Sequence, residues 1–241
     1  MLLRWSFFLT QFIKPFFLKQ KKSHMRIGGF HKLSVVDYPG KVAAVVFTQG
    51  CNFRCGYCHN PQLVCPSLFK APIPEQYVID HLRKRQGKLQ GVVVTGGEPT
   101  LQKDLVDFII KIKGLGFLVK LDTNGSHPKI LAMLLSMGLI DYVAMDVKTA
   151  VAKYKYCAPE LIQESIQLII NSGVPHQFRT TMVKKTCSVE DVHSIRQSIA
   201  GASHYVLQPF IASKDMIDPS LALEEQYTDE QFSVLAARFD V

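Results

Sequence analysis

Short apolar runs alternate with amphipathic stretches along most of the chain. The runs are continuous and rich in β-branched residues, which is typical of parallel strands buried on both faces. The stretches between them place apolar residues at helical spacing and often end near Gly or Asn. The pattern predicts six strands, at Val42–Thr48, Val92–Thr95, Leu118–Asp122, Tyr142–Asp146, Gln177–Thr181 and Tyr205–Gln208. It predicts five helices, at Pro74–Gln86, Lys103–Lys113, Lys129–Met137, Pro159–Ser172 and Val189–Ala200.

Six strands joined by five crossover helices predict an α/β fold with a mostly parallel sheet, wound as an open or partial (β/α)6 barrel. We expect residues 25–241 to form this one domain, because no low-complexity linker interrupts the alternation. The domain is shorter than the ~250 residues typical of a closed eight-stranded barrel. Ligands bind at the carboxyl ends of the strands in such folds, so candidate chemistry is expected there.

Residues 1–24 differ in composition from the rest of the chain. They contain the only Trp and no acidic residue, and they supply most of the formal net charge of +8. We interpret them as an N-terminal extension that is disordered or reflects an upstream start codon, and that the folded domain does not need. A basic aromatic helix on a membrane surface is the alternative. Without this segment the charge is nearly balanced, so no nucleic-acid partner is expected.

Three cysteines, Cys51, Cys55 and Cys58, follow the first predicted strand in one short loop. The chain has six cysteines and no secretory signal, which indicates a reducing cytoplasm, where clustered thiols are more often metal ligands than disulfides. A zinc site normally has four ligands, and an ordinary iron–sulfur cubane has four thiolates. Three thiolates therefore leave a missing ligand or an open coordination position. A zinc-binding interaction module completed by His59 or Cys65 is the alternative to an iron–sulfur enzyme.

Polar residues follow the other predicted strands. Two glycines in Thr95–Pro99 let the backbone approach a ligand closely, and we expect their amide and carbonyl groups to be free for it. Asp146 and Lys148 are two residues apart, so their side chains point the same way on a strand. Arg179 lies in an apolar strand and needs an anion, for which Asp146 or a ligand carboxylate is the expected partner. Such charged residues are either structural ion pairs or ligand-binding groups.

The three-cysteine loop, with Tyr57 directly before its last cysteine, resembles the cluster loop of the radical S-adenosylmethionine superfamily. The resemblance implies a partial barrel of that type, an oxidoreductase, and one [4Fe–4S] cluster held by Cys51, Cys55 and Cys58. In this superfamily the free iron binds the methionine moiety of S-adenosylmethionine, and one electron from the reduced cluster releases a 5′-deoxyadenosyl radical. The residues that we expect to bind S-adenosylmethionine are Tyr57, Asn60, Gly96, Gly97, Glu98, Asp122, Thr123, Asn124, Asp146, Lys148, Arg179 and Gln208.

The segments Gly28–Val42, Phe47–Cys51 and Cys58–Pro61 resemble the activating proteins of anaerobic ribonucleoside-triphosphate reductase, within a resemblance that covers about residues 25–211. This subgroup implies hydrogen-atom abstraction from a backbone glycine of the partner reductase, with an electron donor such as flavodoxin. Ile211 is a departure, because activators of pyruvate formate-lyase tend to carry a His there. Another glycyl radical enzyme, or a small molecule such as a 7-deazapurine precursor, is the alternative substrate.

Overall fold

The structure is a computed structural model that describes residues 25–239, so the N-terminal extension predicted at residues 1–24 lies outside the described residues. The strands are β1 (Ile27–Ser34), β2 (Ala43–Thr48), β3 (Gly91–Gly96), β4 (Leu118–Thr123), β5 (Tyr142–Asp146), β6 (His176–Met182) and β7 (Tyr205–Pro209). The α-helices are α1 (Pro61–Val64), α2 (Glu75–Arg83), α3 (Leu105–Gly114), α4 (Pro128–Ser136), α5 (Pro159–Asn171), α6 (Val189–Ser198) and α7 (Asp229–Phe239). Short 3₁₀ helices lie at Pro66–Leu68, Pro99–Leu101, Val151–Lys153 and Pro219–Leu223. No helix within residues 25–239 is both long and apolar enough to cross a membrane.

All seven strands form one sheet in the order β1 to β7. Strand β1 pairs antiparallel with β2, and every later pair is parallel. Since β1 and β7 end the order without pairing with each other, the sheet is a partial barrel that stays open on one side. The predicted α/β fold with a mostly parallel sheet is confirmed.

The six predicted strands and five predicted helices are present, with ends that differ by up to three residues. The sequence pattern missed β1, α1 and α7. Strand β1 contains two adjacent glycines, which are depleted in strands, and its second half is exposed because it lies at the sheet edge. Strand β1 therefore lacks the continuous apolar run by which the buried strands were predicted.

The two faces of the sheet have different surroundings. The outward-facing side chains of β2 to β6 pack against the helices in one large core, which includes Val46, Val94, Leu121, Met145 and Phe178. The inward-facing side chains are apolar near the amino ends of the strands, where Tyr38, Ala43, Val45 and Val93 form a second, smaller cluster. Toward the carboxyl ends the inward-facing positions become polar and charged, and a cavity opens there.

Tyr38, in the loop between β1 and β2, closes the amino end of the partial barrel. Its side chain is 3% exposed, and its ring lies 5.9 Å from the ring of Tyr142 between centroids. It also packs on Gly91, where an added Cβ would lie 2.9 Å from two carbons of the Tyr38 ring. The sequence pattern gave no sign of this contact, because it joins a loop to the start of β3.

We expect Tyr38→Ala to lower the free energy of unfolding by about 3 kcal/mol, because it removes a buried aromatic ring from a site that cannot fill the space. Val36→Ala is the control, because Val36 is in the same loop and is 83% exposed. Exposed substitutions of this kind change stability by about 0.5 kcal/mol or less. Denaturant titration of both variants measures the difference, and equal stabilities would contradict the role of Tyr38.

Candidate active site

The three cysteines of the predicted cluster loop line one cavity of about 660 Å³ at the carboxyl ends of the strands. All three thiols are free and partly exposed. The amide of Cys58 donates to the carbonyl of Cys55 at 3.0 Å, and the amide of Phe53 donates to Sγ of Cys51 at 3.4 Å. Burial raises the pKa of Cys51 to about 11, so this thiol needs a bound cation to ionise at neutral pH.

Two glycines, the last residue of β3 and the residue after it, bring the backbone against the start of the cluster loop. Gly96 has φ of +116°, and an added Cβ would lie 2.3 Å from the amide nitrogen of Thr48. At Gly97 an added Cβ would lie 2.1 Å from the carbonyl oxygen of Gly50, so only glycine fits. The amide of Gly97 donates to the carbonyl of Thr48 at 2.9 Å. This corrects the expectation of a free amide at Gly97, although both glycines line the cavity.

Glu98 does not line the cavity, which differs from its predicted contact with a cofactor. Its carboxylate is fully buried and accepts hydrogen bonds from the amide and hydroxyl of Thr100, at 3.1 and 2.5 Å. It also accepts from the hydroxyl of Thr123 and the amide of Asn124, both at 2.7 Å. Burial raises the pKa of Glu98, and the four donors act in the opposite direction. Glu98 therefore stabilises the end of β4 and the loop that follows it, from a buried position outside the cavity.

Asn124 connects that loop to the cluster loop. Its side-chain amide donates to Oδ1 of Asn52 at 3.0 Å and lies 4.0 Å from Sγ of Cys51. The side-chain amide of Asn52 donates in turn to the hydroxyl of Ser126 at 2.9 Å. Glu98 thus acts on the cysteine loop indirectly, through a residue that does line the cavity.

A chain of alternating charges forms another wall of the cavity. Nε of Arg179 donates to Oδ1 of Asp146 at 2.8 Å, and its Nη1 lies 3.5 Å from Oδ2 of Asp122. Nζ of Lys148 lies 3.3 Å from Oδ2 of Asp146. Burial would raise the pKa of Asp146, but Arg179 and Lys148 outweigh it and hold that pKa at about 2. The predicted pairing of Arg179 with Asp146 is present.

Lys120 extends this chain and was missed by the sequence reasoning. It lies below the cavity on the inner face of β4, is 2% exposed, and places Nζ 2.5 Å from Oδ1 of Asp122. The available signal was its position two residues before Asp122 in an apolar strand, which puts both side chains on one face. With Lys120 included, three cations surround two carboxylates, so the wall carries surplus positive charge.

The remaining predicted cofactor residues line the same cavity. They are Tyr57, Asn60, Thr123, Asn124 and Gln208. The ring of Tyr57 lies 6.0 Å from Nζ of Lys148. Several lining residues were not predicted, among them Phe53, Thr95, Thr181, Val206 and Ile211. Thr95 and Thr181 were detectable, because each is at an inward-facing position near the end of its strand.

The donor set fits an iron–sulfur cluster better than a single ion. Within residues 25–239, no group of three or more His, Cys, Asp or Glu side chains converges closely enough to hold one metal ion. Such convergence is what a zinc ion completed by His59 or Cys65 would require. In a [4Fe–4S] cluster each thiolate binds a different iron, so the thiols surround the cluster instead of meeting at a point. Three thiols on one cavity wall are compatible with that.

Comparison with known proteins agrees with this chemistry. Residues 45–194 match the family model described as the Radical SAM superfamily. A protein of Methanocaldococcus jannaschii named "Putative glycyl-radical enzyme activating enzyme MJ1227" is 37% identical over 212 residues, which cover 83% of each chain. A "7-carboxy-7-deazaguanine synthase" of Thermococcus kodakarensis is 28% identical over 192 residues, covering 70% of this chain and 75% of the relative.

A solved structure shares the fold. Streptococcus suis SuiB bound to S-adenosylmethionine superimposes with a TM-score of 0.62 at 16% identity, over 78% of this chain. The chain spans 44% of the length of that protein. This likeness supports the fold alone.

We expect Glu98→Gln to lower the free energy of unfolding by about 1–3 kcal/mol, because a carboxamide nitrogen cannot accept the buried hydrogen bonds that a carboxylate oxygen accepts. Hydrogen exchange at the Asn124 amide should become faster in the same variant. Glu164→Gln is the matched control on an exposed helix position. Unchanged stability and unchanged exchange in Glu98→Gln would contradict the positioning role.

Proposed function

The chain belongs to the radical SAM superfamily, and on that premise we propose that this enzyme activates a glycyl radical enzyme. The specific target that we propose is anaerobic ribonucleoside-triphosphate reductase, in which a backbone glycine would lose a hydrogen atom. One observation carries the general proposal: the relative named as a glycyl-radical enzyme activating enzyme is 37% identical over 83% of both chains. The specific target is supported by the resemblance of Gly28–Val42 to that subgroup.

Membership of the superfamily implies a [4Fe–4S] cluster and S-adenosylmethionine. When bound, the reduced cluster supplies the electron that cleaves S-adenosylmethionine and so provides the radical that abstracts hydrogen. We assign Cys51, Cys55 and Cys58 to the cluster, because their thiols line one cavity beside the charged wall. The remaining position on the cluster is then open to a ligand.

The charged wall suits the two charges of an amino acid and the hydroxyls of a ribose. Arg179 and Lys148 can bind a carboxylate, and the surplus positive charge favours such an anion. Asp122 and Asp146 can accept hydrogen bonds from ribose hydroxyls or an ammonium group. The apolar side chains of Val206 and Ile211 line the same cavity and would help to exclude water, which prevents side reactions of a radical.

Three further parts belong to this proposal. Residues 25–241 form the catalytic domain, and residues 1–24 are not needed for its activity. A protein such as flavodoxin supplies the electron. The enzyme that we propose works in the cytoplasm, where its clustered cysteines would stay reduced.

A small-molecule substrate is the second candidate. It is favoured by the 28% identity to a 7-carboxy-7-deazaguanine synthase over 70% of this chain. The lower identity and the smaller coverage are our reason for preferring the activating function. A product found with a 7-deazapurine precursor, in the absence of any partner protein, would favour the alternative.

Electron paramagnetic resonance tests the proposal directly. The protein is reconstituted with iron and sulfide, reduced without oxygen, and mixed with S-adenosylmethionine. Anaerobic ribonucleoside-triphosphate reductase is added to one sample and pyruvate formate-lyase to another. A glycyl radical doublet on the reductase is the expected result. A doublet on pyruvate formate-lyase instead would correct the target. S-adenosylmethionine cleavage without a doublet on either protein would contradict the activating function.

We expect Cys55→Ala to abolish the formation of 5′-deoxyadenosine, because two thiolates from this loop would be left to hold the cluster. Cys157→Ala is the control, since Cys157 is partly exposed and does not line the cavity that contains the three cluster cysteines. Chromatography of the products under anaerobic conditions measures both. Cleavage by Cys55→Ala at the parent rate would exclude the cluster assignment.

We expect Arg179→Met to weaken S-adenosylmethionine binding roughly tenfold or more, because a charge-assisted hydrogen bond contributes about 1.5–3 kcal/mol. The melting temperature of the unliganded protein should change by only a few degrees. In the variant Asp146 keeps Lys148 at 3.3 Å, so it is not left as an unpaired buried charge. Asp122 likewise keeps Lys120 at 2.5 Å.

Calorimetric titration and thermal unfolding separate the two roles of Arg179. Parent-like affinity together with a large fall in melting temperature would show that the arginine is structural and would exclude the ligand assignment.

A further inference from the structure

A second cavity, of about 420 Å³, is also lined by residues of the cluster loop. It shares Phe53, Cys55, Tyr57 and Lys148 with the first cavity. The two cavities therefore adjoin at the cluster loop, and Cys55 lines both of them. No step assigned so far to the first cavity uses the second one.

The C-terminal part of the chain covers another side of the cluster loop. The amide of Ile217 donates to the carbonyl of Cys58 at 3.2 Å, and the amide of Asp218 donates to the carbonyl of Gly56 at 2.9 Å. At Gly56 an added Cβ would lie 3.2 Å from Cβ of Asp218, so the two segments are in close contact. The second cavity thus gives an approach to Cys55 that does not pass through the cofactor cavity.

Lysines dominate the charged lining of the second cavity. Asp191 is the one carboxylate among the described residues that line it. Its Oδ1 lies 2.7 Å from Nζ of Lys153, and its backbone amide and carboxylate form the capping box of α6 with Ser188. Asp191 is therefore occupied within the fold. The lining lysines are Lys148, Lys153, Lys155, Lys184 and Lys185.

The outer lysines have only exposed partners. Lys184 pairs with Glu225, and Lys185 pairs with Glu224 at 2.5 Å, with both side chains of the second pair about half exposed. Such surface pairs contribute little free energy, so carboxylates of another protein can replace them at small cost. Lys155 is exposed at the same rim. The three residues Lys155, Lys184 and Lys185 are called the lysine rim below.

An exposed aromatic residue lies beside the lysine rim. Tyr156 is 47% exposed, lines the second cavity and stacks on Phe53 with 5.1 Å between ring centroids. Its hydroxyl donates to the carbonyl of Arg54 at 2.7 Å, which fixes it to the cluster loop. Exposed Tyr residues are enriched in protein–protein interfaces. The rim therefore combines positive charge with an aromatic contact that is attached to the loop itself.

We propose that the lysine rim is the docking surface for an acidic one-electron carrier protein, and that the electron enters on the Cys55 side of the cluster loop. This inference rests on the proposed function, because only a redox cluster in the loop requires an electron. In the step the reduced carrier loses one electron and the cluster gains one, and no proton or covalent bond is transferred.

Separate approaches to one cluster follow from the number of proteins involved. The glycine of a protein substrate must reach the first cavity, so a carrier that used the same opening would compete with the substrate. Docking at the lysine rim avoids that competition, because none of its three lysines lines the first cavity. Complementary charge also speeds the encounter, because electrostatically steered association is about 100-fold or more faster than association of neutral surfaces.

The test compares two charge-reversal variants of the full chain. Lys155→Glu with Lys185→Glu changes the lysine rim. Lys84→Glu with Lys88→Glu is the matched control, because both lysines are exposed at the opposite end of the strands, just before β3. Flavodoxin is the acidic carrier used as the probe. Its affinity for each protein is measured by calorimetric titration between about 0.01 and 1 M ionic strength.

Cluster reduction provides the second measurement. The rate is followed by absorbance after mixing with reduced flavodoxin, and separately with photoreduced 5-deazariboflavin, which is small and needs no docking surface. We expect the rim variant to lose about tenfold or more in flavodoxin affinity and in the flavodoxin-dependent rate, with the parent showing a strong decrease in high salt. The control variant should match the parent, and reduction by 5-deazariboflavin should be equal in all three proteins.

Parent-like affinity and rate in the rim variant would overturn the inference, as would a parent affinity that does not depend on salt. An equal loss in the control variant would also overturn it, because the effect would then reflect net charge. Replacement by Gln at the same two positions should give a smaller loss than Glu if charge is the cause. Failure of the proposed function gives a different result from failure of this inference. In that case flavodoxin would still dock on the lysine rim and reduce the cluster, but no glycyl radical would form.

Discussion

The close contact of two backbone segments at Gly97 determines where the chemistry of this protein takes place. The amide of Gly97 donates to Thr48, and the amide of Glu98 donates to Gly50 at 2.8 Å, so the end of β3 is joined to the first residues of the cluster loop. No side chain fits between Gly97 and the carbonyl of Gly50. The position of the cysteine loop relative to the sheet therefore requires glycine at residue 97. Glu98 connects the same region to the loop after β4, because its carboxylate accepts a hydrogen bond from the amide of Asn124.

The charged wall places ionic side chains on the inner face of the sheet, where an unpaired charge would be costly. Each carboxylate has a cation on either side, so Asp122 and Asp146 are not left as unpaired charges before any ligand arrives. Buried ion pairs are costly to desolvate, and such an arrangement is weak evidence for stability. Its surplus cation and its position on the cavity instead support a binding role.

The open sheet connects the fold to the proposed chemistry. A closed barrel would surround the inner face with strands, whereas β1 and β7 do not pair with each other in this sheet. The protein substrate that we propose would approach the inner face on that side. The cluster loop lines both the cofactor cavity and the cavity that carries the lysine rim. Under the proposed function, the electron carrier and the glycyl radical enzyme would therefore approach the cluster loop at different cavities.

The sequence by itself determined the parallel strands, the helices between them and the three cysteines at the end of the first buried strand. It also predicted that Asp146 and Lys148 lie side by side, and both do line the cavity, although β5 ends at Asp146 and Lys148 lies in the loop that follows. Local periodicity and spacing carry this information because neighbours in sequence are neighbours in space. Glu98 is different: its sequence position indicates a turn, and only the tertiary structure shows that it binds the loop after β4 and not the cavity.

The tertiary structure alone decided the contacts between distant segments. The contact of Tyr38 with Gly91, the burial of Lys120 beside Asp122, and the second cavity behind Cys55 depend on how the sheet curves and which loops meet. Strand β1 was also decided by the tertiary structure. Its glycines and polar residues disfavour a strand locally, and its pairing with β2 compensates for them. Packing between elements, and not the pattern within one element, sets these features.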